Sequence, residues 1–204
     1  MARTSPRHSV RPTISAMSDT AELVAVVDAV VAAFRHHAIP YFVTGSFASS
    51  IHGEFRATAD IDMVAEITAS ALPALIRELD VAFVADAEEA KSALAAGMSF
   101  NLIHRTTYLK VDLFPCDNAF NRSALHRAVT IDIPGATESL RVSSLEDILL
   151  AKLRWYRLGG ESSEVQRRDV RRLIQLNRDV LDVAYLRQWS SVLCVDDLLT
   201  SALA

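Results

Sequence analysis

The first half of the chain changes its hydrophobic period several times. Residues 21–34 repeat apolar positions at the helical period, which predicts an amphipathic helix with Ser18 or Asp19 as its cap. Pro40 ends any such helix. The aromatic and β-branched run 41–44 then predicts a short strand. A helix, a turn and a strand therefore follow one another within about thirty residues.

The same reasoning extends along the chain. It predicts short helices at 46–51, 69–79 and 87–96 and strands at 60–67, 81–84, 100–103, 108–114, 128–133 and 140–142. From Ser144 onward the pattern is helical, with Gly159-Gly160 as the main break. We therefore expect an α/β core over residues 18–143 and a helical region over 144–204, preceded by a disordered leader at 1–17.

Composition narrows the class of protein. The chain has 204 residues, of which 50% are hydrophobic and 23% charged, as expected for one soluble domain with a substantial core. No apolar run is long enough to cross a membrane, so we expect no membrane partner; the cysteine usage makes a reducing cytoplasm the expected location. A net charge of -4 argues against a surface devoted wholly to nucleic acid. The 2 cysteines are too few for a disulfide framework.

Two aspartates occupy alternate positions of one predicted strand. Asp60 and Asp62 point to one face of that strand, whereas Ile61 and Met63 point to the other. The apolar pair can pack into the core and leave both carboxylates on an open face. Neighbouring carboxylates repel unless a cation neutralises them, and Mg²⁺ is the usual partner. The pattern therefore predicts a metal site.

A third acid and a small-residue turn complete this pattern. Asp112 lies opposite the apolar side of the predicted strand 108–114, so three carboxylates converge if the strands pair. Such a set suits metal-assisted phosphoryl transfer. Gly45 and Ser46 lie between a strand and a helix, where free backbone N–H groups and a hydroxyl can bind phosphate.

These residues resemble a known family. Thr44-Gly45-Ser46, Asp60-Ile61-Asp62 and the later Asp112 are similar to the motif of the DNA polymerase beta-like nucleotidyltransferases. The intervening His52-Gly53, Arg56 and Thr58 resemble the small bacterial branch of AbiEii-type and MenT-type toxins. The likeness covers residues 40–114 well and the helical remainder more loosely. It implies a polymerase beta-like mixed sheet followed by helices.

The resemblance also implies an activity. A nucleoside monophosphate would pass from an NTP to an acceptor, with release of pyrophosphate. Asp60, Asp62 and Asp112 would hold Mg²⁺, and Asp112 would help to deprotonate the acceptor hydroxyl. Gly45 and Ser46 would bind the triphosphate.

A lysine interrupts the apolar stripe of the predicted helix that begins at Leu145. Lys152 lies among Ile148, Leu149 and Leu153, and an unpaired ammonium is costly to bury there. Asp169 is a similar anomaly on the following helix. AbiEii-like proteins carry a comparable lysine and an Arg-Asp motif, which implies that Lys152 reaches the NTP phosphates while Asp169 orients it or assists catalysis. The alternative is a structural ion pair between two helices.

The remaining candidates have ordinary interpretations beside the functional ones. Arg56 is assigned to phosphate or acceptor binding, or to an exposed loop, and Thr58 to nucleotide binding or a turn cap. Four arginines within residues 166–172 suit an RNA backbone or a solvated helix face. Trp155 and Trp189 are interpreted as core or interface residues.

Three functions remain open from the sequence. The leading hypothesis is a magnesium-dependent nucleotidyltransferase that acts on tRNA or protein, as the toxin of a toxin–antitoxin or phage-defence pair with a cognate antitoxin. A second is a non-catalytic relative that serves as a binding or antitoxin-like partner. A third is a small-molecule enzyme such as an aminoglycoside nucleotidyltransferase. No surplus acidic cluster stands out near the C-terminal helices, which argues against the third.

Overall fold

A computed structural model describes residues 14–53 and 60–204, with side chains from residue 21 onward. The helices of this part are α1 (Ile14–His36), α2 (Gly45–Ile51), α3 (Leu72–Leu79), α4 (Ala87–Ala95), α5 (Ala119–Arg127), α6 (Leu145–Leu158), α7 (Glu164–Asn177), α8 (Val183–Val192) and α9 (Asp196–Leu203). The strands are β1 (Tyr41–Thr44), β2 (Asp60–Ala65), β3 (Phe83–Val84), β4 (Phe100–His104), β5 (Lys110–Pro115), β6 (Val129–Ile131) and β7 (Leu140–Val142).

One mixed sheet organises the molecule. Its strand order is β3-β4-β5-β2-β1-β7-β6. Strand β2 is antiparallel to β1 and parallel to β5, while β1 is also parallel to β7. The predicted α/β class and mixed sheet are therefore confirmed. The central strands β5, β2 and β1 place Asp112, Asp62 and Thr44 next to one another.

One face of these central strands packs into the main hydrophobic core. Ile61 and Met63 of β2 and Val111 and Leu113 of β5 are fully buried, and they pack in the same cluster as the apolar side of α1. The pleat then directs the alternate residues of both strands to the opposite face. Core packing therefore decides which face the acidic residues occupy.

A second, smaller cluster covers part of that opposite face. Phe42 and Val64 of the sheet pack against Ala124 and Leu125 of helix α5. The sequence patterns did not predict this helix, although Asn118 caps it by accepting a hydrogen bond from the backbone N–H of Asn121. The opposite face is thus apolar near α5 and polar toward the start of β2.

Helices α6 to α9 follow the last strand. Helix α6 packs against α2, α7 and α8, and so places the helical region beside the β1–α2 turn. The change from strands to helices at Ser143 and Ser144 follows the predicted pattern. Helix α1 begins at Ile14, before the predicted caps Ser18 and Asp19. No helix of the described residues has the length and apolar character needed to cross a membrane.

Candidate active site

The turn from β1 into α2 brings the backbone against an aspartate. Gly45 has a φ of 68°, a left-handed conformation that other residues adopt only with strain. A Cβ atom at this position would lie 2.7 Å from the carboxyl carbon of Asp62 and would overlap the carboxylate oxygen itself. Glycine is therefore required twice here, by conformation and by space. The turn and the aspartate form one tightly fitted unit.

Helix α2 starts at this turn with open backbone donors. Thr44, the residue before the helix, makes no capping hydrogen bond with its side chain. The first N–H groups of a helix have no partner within the helix. Ser46 lies in the same first turn, half-buried on the wall of a cavity. The predicted Gly45-Ser46 turn is thus present beside Asp62.

Two of the predicted metal ligands lie side by side on parallel strands. Asp62 of β2 is in register with Asp112 of β5, and Asp60 is in register with Lys110. Neighbouring strands are about 4.8 Å apart, so residues 62 and 112 are direct neighbours on one face. Thr44 of β1 lies opposite Asp62 on the other side. The predicted convergence of β2 and β5 is present.

The environment of Asp62 opposes its ionisation. Burial is the largest cause, and the negative charges of Asp112 and then Asp60 add to it, so that the pKa of Asp62 rises to about 6. The charges of Lys110 and Lys152 act in the opposite direction. A bound cation would stabilise the ionised form of the Asp62 carboxylate, which is unfavourable in its absence. This electrostatic arrangement fits a divalent metal ion.

Lys110 forms an ion pair with Asp112, one of the three acids. Its Nζ lies 2.8 Å from Oδ2 of Asp112, and the hydrogen bond with that carboxylate raises the pKa of Lys110. Lys110 and Asp112 are two residues apart and so share one face of β5. That spacing was a usable signal in the sequence, and the pattern analysis missed it. A cation at the three acids has to compete with this lysine.

The three carboxylates fit Mg²⁺ in chemistry, because hard oxygen ligands are what this ion prefers. Their oxygen atoms do not all lie within 4.8 Å of one another, as they would in a compact set of metal ligands. Among the described residues, the one group of three His, Cys, Asp or Glu side chains with ligand atoms all within 4.8 Å of one another is His36, His37 and Glu78. Asp60 is exposed at the start of β2, whereas Asp62 and Asp112 are half-buried.

Lys152 and Asp169 form a buried ion pair between α6 and α7. Nζ of Lys152 donates a hydrogen bond of 2.9 Å to Oδ2 of Asp169, and only 8% and 5% of the two side chains are exposed. The predicted structural pairing is therefore present. Lys152 also lies on the cavity wall and close enough to Asp62 to lower its pKa, so the functional interpretation stays open beside the structural one.

A cavity of about 370 Å³ lies between the sheet, α5 and α6. Its wall combines aromatic residues with polar ones. It includes Phe42, Thr44, Gly45, Ser46, Asp62, Phe114, Asp117, Asn118, Phe120, Asn121, Ser143, Asp147, Lys152 and Trp155. Of the three predicted metal ligands, Asp62 is the one that lies on the described wall of this cavity. The volume of the cavity falls in the range of small-ligand sites.

Trp155 is not a core residue, which excludes the first of the two sequence-based interpretations, core or interface. Its side chain is 53% exposed on the cavity wall, with its ring centre 6.0 Å from that of Phe114. Trp189 instead packs against Phe120 and Tyr185 at the edge of the core. The sequence could not separate the two tryptophans because both lie on helices with apolar neighbours. Trp155 and Phe114 give the cavity an aromatic side.

Asp147, another acid of the cavity wall, belongs to a network that the sequence did not reveal. Asp147 of α6 accepts hydrogen bonds from the hydroxyls of Tyr185 at 2.6 Å and Ser144 at 2.7 Å. Arg127 stacks its guanidinium 3.8 Å from the centre of the Tyr185 ring. Burial is the main cause that raises the pKa values of Asp147 and Tyr185. Asp147 and Tyr185 are 38 residues apart, so no local pattern links them.

Some predicted residues cannot be placed. Arg56 and Thr58 lie outside the described residues.

The predicted basic segment is on α7, where Arg167, Arg168, Arg171 and Arg172 are exposed and line a shallow groove. Arg167 pairs with Glu164 on the same helix. Helix α7 therefore presents arginines outward while Asp169 faces Lys152.

Comparison with known proteins supports the fold. No protein-family model matches the sequence, and no curated protein matches it either. A solved structure of an antigenic nucleotidyltransferase-like protein from Paracoccidioides brasiliensis matches with a TM-score of 0.53 at 17% identity, over 91% of this chain and 92% of that one. The likeness shows that this chain has the nucleotidyltransferase fold.

Two further solved structures match at lower scores. The antibiotic-resistance factor ANT(2'')-Ia matches with a TM-score of 0.45 at 16% identity, over 85% of this chain and 96% of that one. The lincosamide antibiotic adenylyltransferase LnuA matches with a TM-score of 0.47 at 17% identity, over 76% of this chain and 96% of that one. The likeness to the Paracoccidioides brasiliensis protein confirms the predicted fold, while the polymerase beta-like superfamily and its AbiEii-type and MenT-type branch stay predictions.

Proposed function

We propose that this protein is a magnesium-dependent nucleotidyltransferase that moves a nucleoside monophosphate from an NTP to an RNA acceptor. One observation carries the proposal. Asp62 and Asp112 are in register on parallel strands, and Asp62 lies against the Gly45-Ser46 turn in the lining of a cavity that also includes Lys152. An acid for a metal and donors for phosphate thus lie next to each other in the lining of a cavity large enough for a small ligand.

Each group has a role in the proposed reaction. Asp60, Asp62 and Asp112 would hold Mg²⁺, which when bound neutralises the carboxylates and the phosphate charge. The backbone and hydroxyl of Ser46, together with Lys152, bind the triphosphate.

The transfer itself is a displacement at phosphorus. The acceptor hydroxyl oxygen forms a bond to the α-phosphorus, the bond to the β-phosphate oxygen breaks, and pyrophosphate leaves. Asp112 takes the acceptor proton. Asp169 holds Lys152 in place, because its carboxylate fixes the ammonium at 2.9 Å. Arg56 and Thr58 are proposed to assist nucleotide binding from the segment next to β2.

The aromatic side of the cavity suits a nucleobase. Trp155 and Phe114 offer two aromatic rings, tilted by 59° to each other, in the lining of the cavity that also includes Lys152. Stacking of a base on an aromatic ring contributes about 1–3 kcal/mol. We therefore place the base against Trp155 and the triphosphate toward Ser46.

The exposed face of α7 supports RNA as the acceptor. Arg167, Arg168, Arg171 and Arg172 line one groove on the helix that also supplies Asp169. Arginine contacts to phosphates provide affinity without reading sequence, and each lost contact weakens the salt dependence of binding. Gln166 of the same helix lies in the cavity lining, so an RNA along α7 would run close to the cavity.

A transfer assay tests the proposal. The full-length protein is incubated with Mg²⁺, total tRNA and each NTP labelled on the α-phosphate, and label in RNA is measured. We expect label in RNA, loss of at least about a hundredfold with Asp62→Asn, and wild-type transfer with Asp179→Asn, an exposed acid outside the cavity wall. A protein with no turnover of any NTP would instead be the non-catalytic binding partner.

Substitution of the α7 arginines identifies the acceptor. Arg171→Gln with Arg172→Gln should raise the KM for RNA several-fold, reduce its salt dependence and leave the KM for the NTP unchanged. Label that appears in the protein rather than in RNA would identify a protein acceptor. If RNA is the acceptor, expression should arrest growth in an Asp62-dependent manner, which is the toxin role that the family resemblance implies. A cognate antitoxin would relieve that arrest.

A small-molecule acceptor is the second candidate, and one observation favours it. Asp117 and Asp147 add two acids to the cavity wall, beside its aromatic residues. Acids next to a metal site suit an acceptor with amino groups. In the same assay, a panel of aminoglycosides replaces tRNA, and labelled drug without labelled RNA would establish this function.

A further inference from the structure

A cluster of two histidines and a glutamate lies at the other end of the sheet. Helix α1 ends at His36, the chain turns at His37, and β1 then begins at Tyr41 and runs to Thr44 at the cavity. Four residues of strand span about 13 Å. The cluster is therefore separate from the candidate active site, and its chemistry is independent of the proposed function.

Both imidazoles face the same carboxylate oxygen. Nδ1 of His36 lies 2.8 Å from Oε2 of Glu78, and Nε2 of His37 lies 2.9 Å from that oxygen. The His36 contact is a hydrogen bond, whereas Nε2 of His37 is buried and makes no hydrogen bond with the described residues. One oxygen therefore faces two nitrogens, one of which is a buried nitrogen without a hydrogen bond.

The turn after α1 holds the two rings side by side. The backbone N–H of Ile39 donates to the carbonyl of Phe34 at 2.8 Å, and Ala38 adopts a φ of 52°. This closure resembles a helix-ending motif that fixes the last side chains. The rings of His36 and His37 stack with centres 4.9 Å apart. Glu78 comes from α3, which packs against α1.

We propose that His36, His37 and Glu78 form a binding site for a divalent transition metal, with Zn²⁺ as the ion that fits best. Imidazole nitrogen and carboxylate oxygen are common zinc ligands, and Mg²⁺ and Ca²⁺ favour oxygen ligands instead. Ligand bonds of about 2.0–2.1 Å would open the present nitrogen–oxygen separations to roughly 3.3 Å in a tetrahedral site.

The cluster can make that adjustment and remains open to solvent. The side chains of His36 and Glu78 are 72% and 36% exposed, so small rotations move them without disturbing the core. Three protein ligands leave the fourth position to water. The bound ion would join the end of α1 to α3 and so stabilise the folded chain.

Calorimetric titration of the untagged full-length protein with ZnCl₂ tests the site. Millimolar Mg²⁺ is present throughout to occupy the carboxylates at the cavity. We expect one Zn²⁺ per chain and a dissociation constant that weakens roughly tenfold or more in His36→Gln, His37→Gln and Glu78→Gln, since each removes one of three ligands. His126→Gln, an exposed histidine in the last turn of α5, is the matched control and should bind zinc as the wild type does.

X-ray absorption at the zinc edge provides a second readout. The wild type should show two imidazole ligands and His36→Gln only one. Zinc binding that is absent, or that is unchanged in both His36→Gln and Glu78→Gln, would overturn the proposal. His36 and Glu78 lie on the surface, so these two variants keep the test valid even if His37→Gln does not fold.

Discussion

Gly45 and Asp62 are fitted so closely that the site depends on the absence of a side chain at position 45. A Cβ atom there would lie 2.7 Å from the Asp62 carboxyl carbon, in a backbone conformation with a φ of 68°. Gly45→Ala should therefore displace the Asp62 carboxylate and reduce nucleotidyl transfer by at least about a hundredfold. Steady-state transfer assays with saturating Mg²⁺ measure this loss.

The chain supplies a matched control for that substitution. Gly160 has the same φ of 68° but has open space where its Cβ would be. Gly160→Ala should lose about 1–2 kcal/mol of unfolding free energy from backbone strain and keep full activity. Urea denaturation and the transfer assay are applied to both variants. Equal activity of the two variants would show that the close contact between Gly45 and Asp62 is unimportant.

The pKa of Asp62 leads to a pH-dependent effect on stability. The folded-state pKa is about 6, against 3.8 for a free aspartate, so the folded protein binds more protons than the unfolded chain between these values. The stability contributed by protonated Asp62 is complete below pH about 4 and is lost as the pH rises through about 6. At pH 8 the buried charge therefore destabilises the fold.

Replacement of Asp62 by asparagine should remove that loss. Asp62→Asn should match the wild type near pH 4 and be more stable at pH 8, by up to about 3 kcal/mol, which is the value of a two-unit pKa shift. Denaturant titrations at both pH values measure the difference. Mg²⁺ at pH 8 should stabilise the wild type selectively and narrow the gap. A gap of the same size at both pH values would contradict the assigned pKa.

The Lys152–Asp169 pair allows its structural and functional roles to be separated. Lys152→Met leaves a buried carboxylate without its ammonium partner and should cost about 3–5 kcal/mol of stability. Adding Asp169→Leu should restore most of that stability, because two apolar side chains can replace a buried pair. If Lys152 binds phosphate, the double variant should remain inactive. Recovery of transfer activity together with stability would show that the pair is only structural.

Lys110 should weaken magnesium binding at the acids. Its ammonium lies 2.8 Å from Asp112 and so competes with a cation for that carboxylate. Lys110→Gln should lower the Mg²⁺ concentration for half-maximal activity several-fold. Lys91→Gln, an exposed lysine paired with Glu88 on α4, is the control and should leave the magnesium dependence unchanged. An increased magnesium requirement in Lys110→Gln would indicate that this lysine orders the site instead.

The sheet and the placement of the acids could be predicted because both follow from short-range periodicity. Because side chains of a strand alternate between its two faces, Ile61 and Met63 are buried and Asp62 lies on the open face. Helix α5 was missed because its few apolar positions, such as Phe120 and Ala124, lie in an otherwise polar segment. Its only clear local signal was the cap Asn118.

The parts of the site that could not be predicted depend on tertiary contact. Tyr185 of α8 donates a hydrogen bond to Asp147 of α6, and Trp155 of α6 lies beside Phe114 of β5. The side-chain pattern of a helix gives the face that a residue occupies but not the element that will lie against it. The roles of Asp60, Asp62, Asp112, Lys152, Asp169, Gly45 and Ser46 remain predictions until the variants are assayed.

The parallel alignment of β2 and β5 makes assembly of the acids an all-or-none property. A slip of β5 by one residue would direct Asp112 into the interior and turn Val111 or Leu113 outward beside Asp62. Such a strand would lose two well-packed side chains and bury a charge at once. The strand register that packs the core thus also brings the carboxylates together. Selection for a well-packed core therefore also preserves the position of the carboxylates on the other face of the sheet.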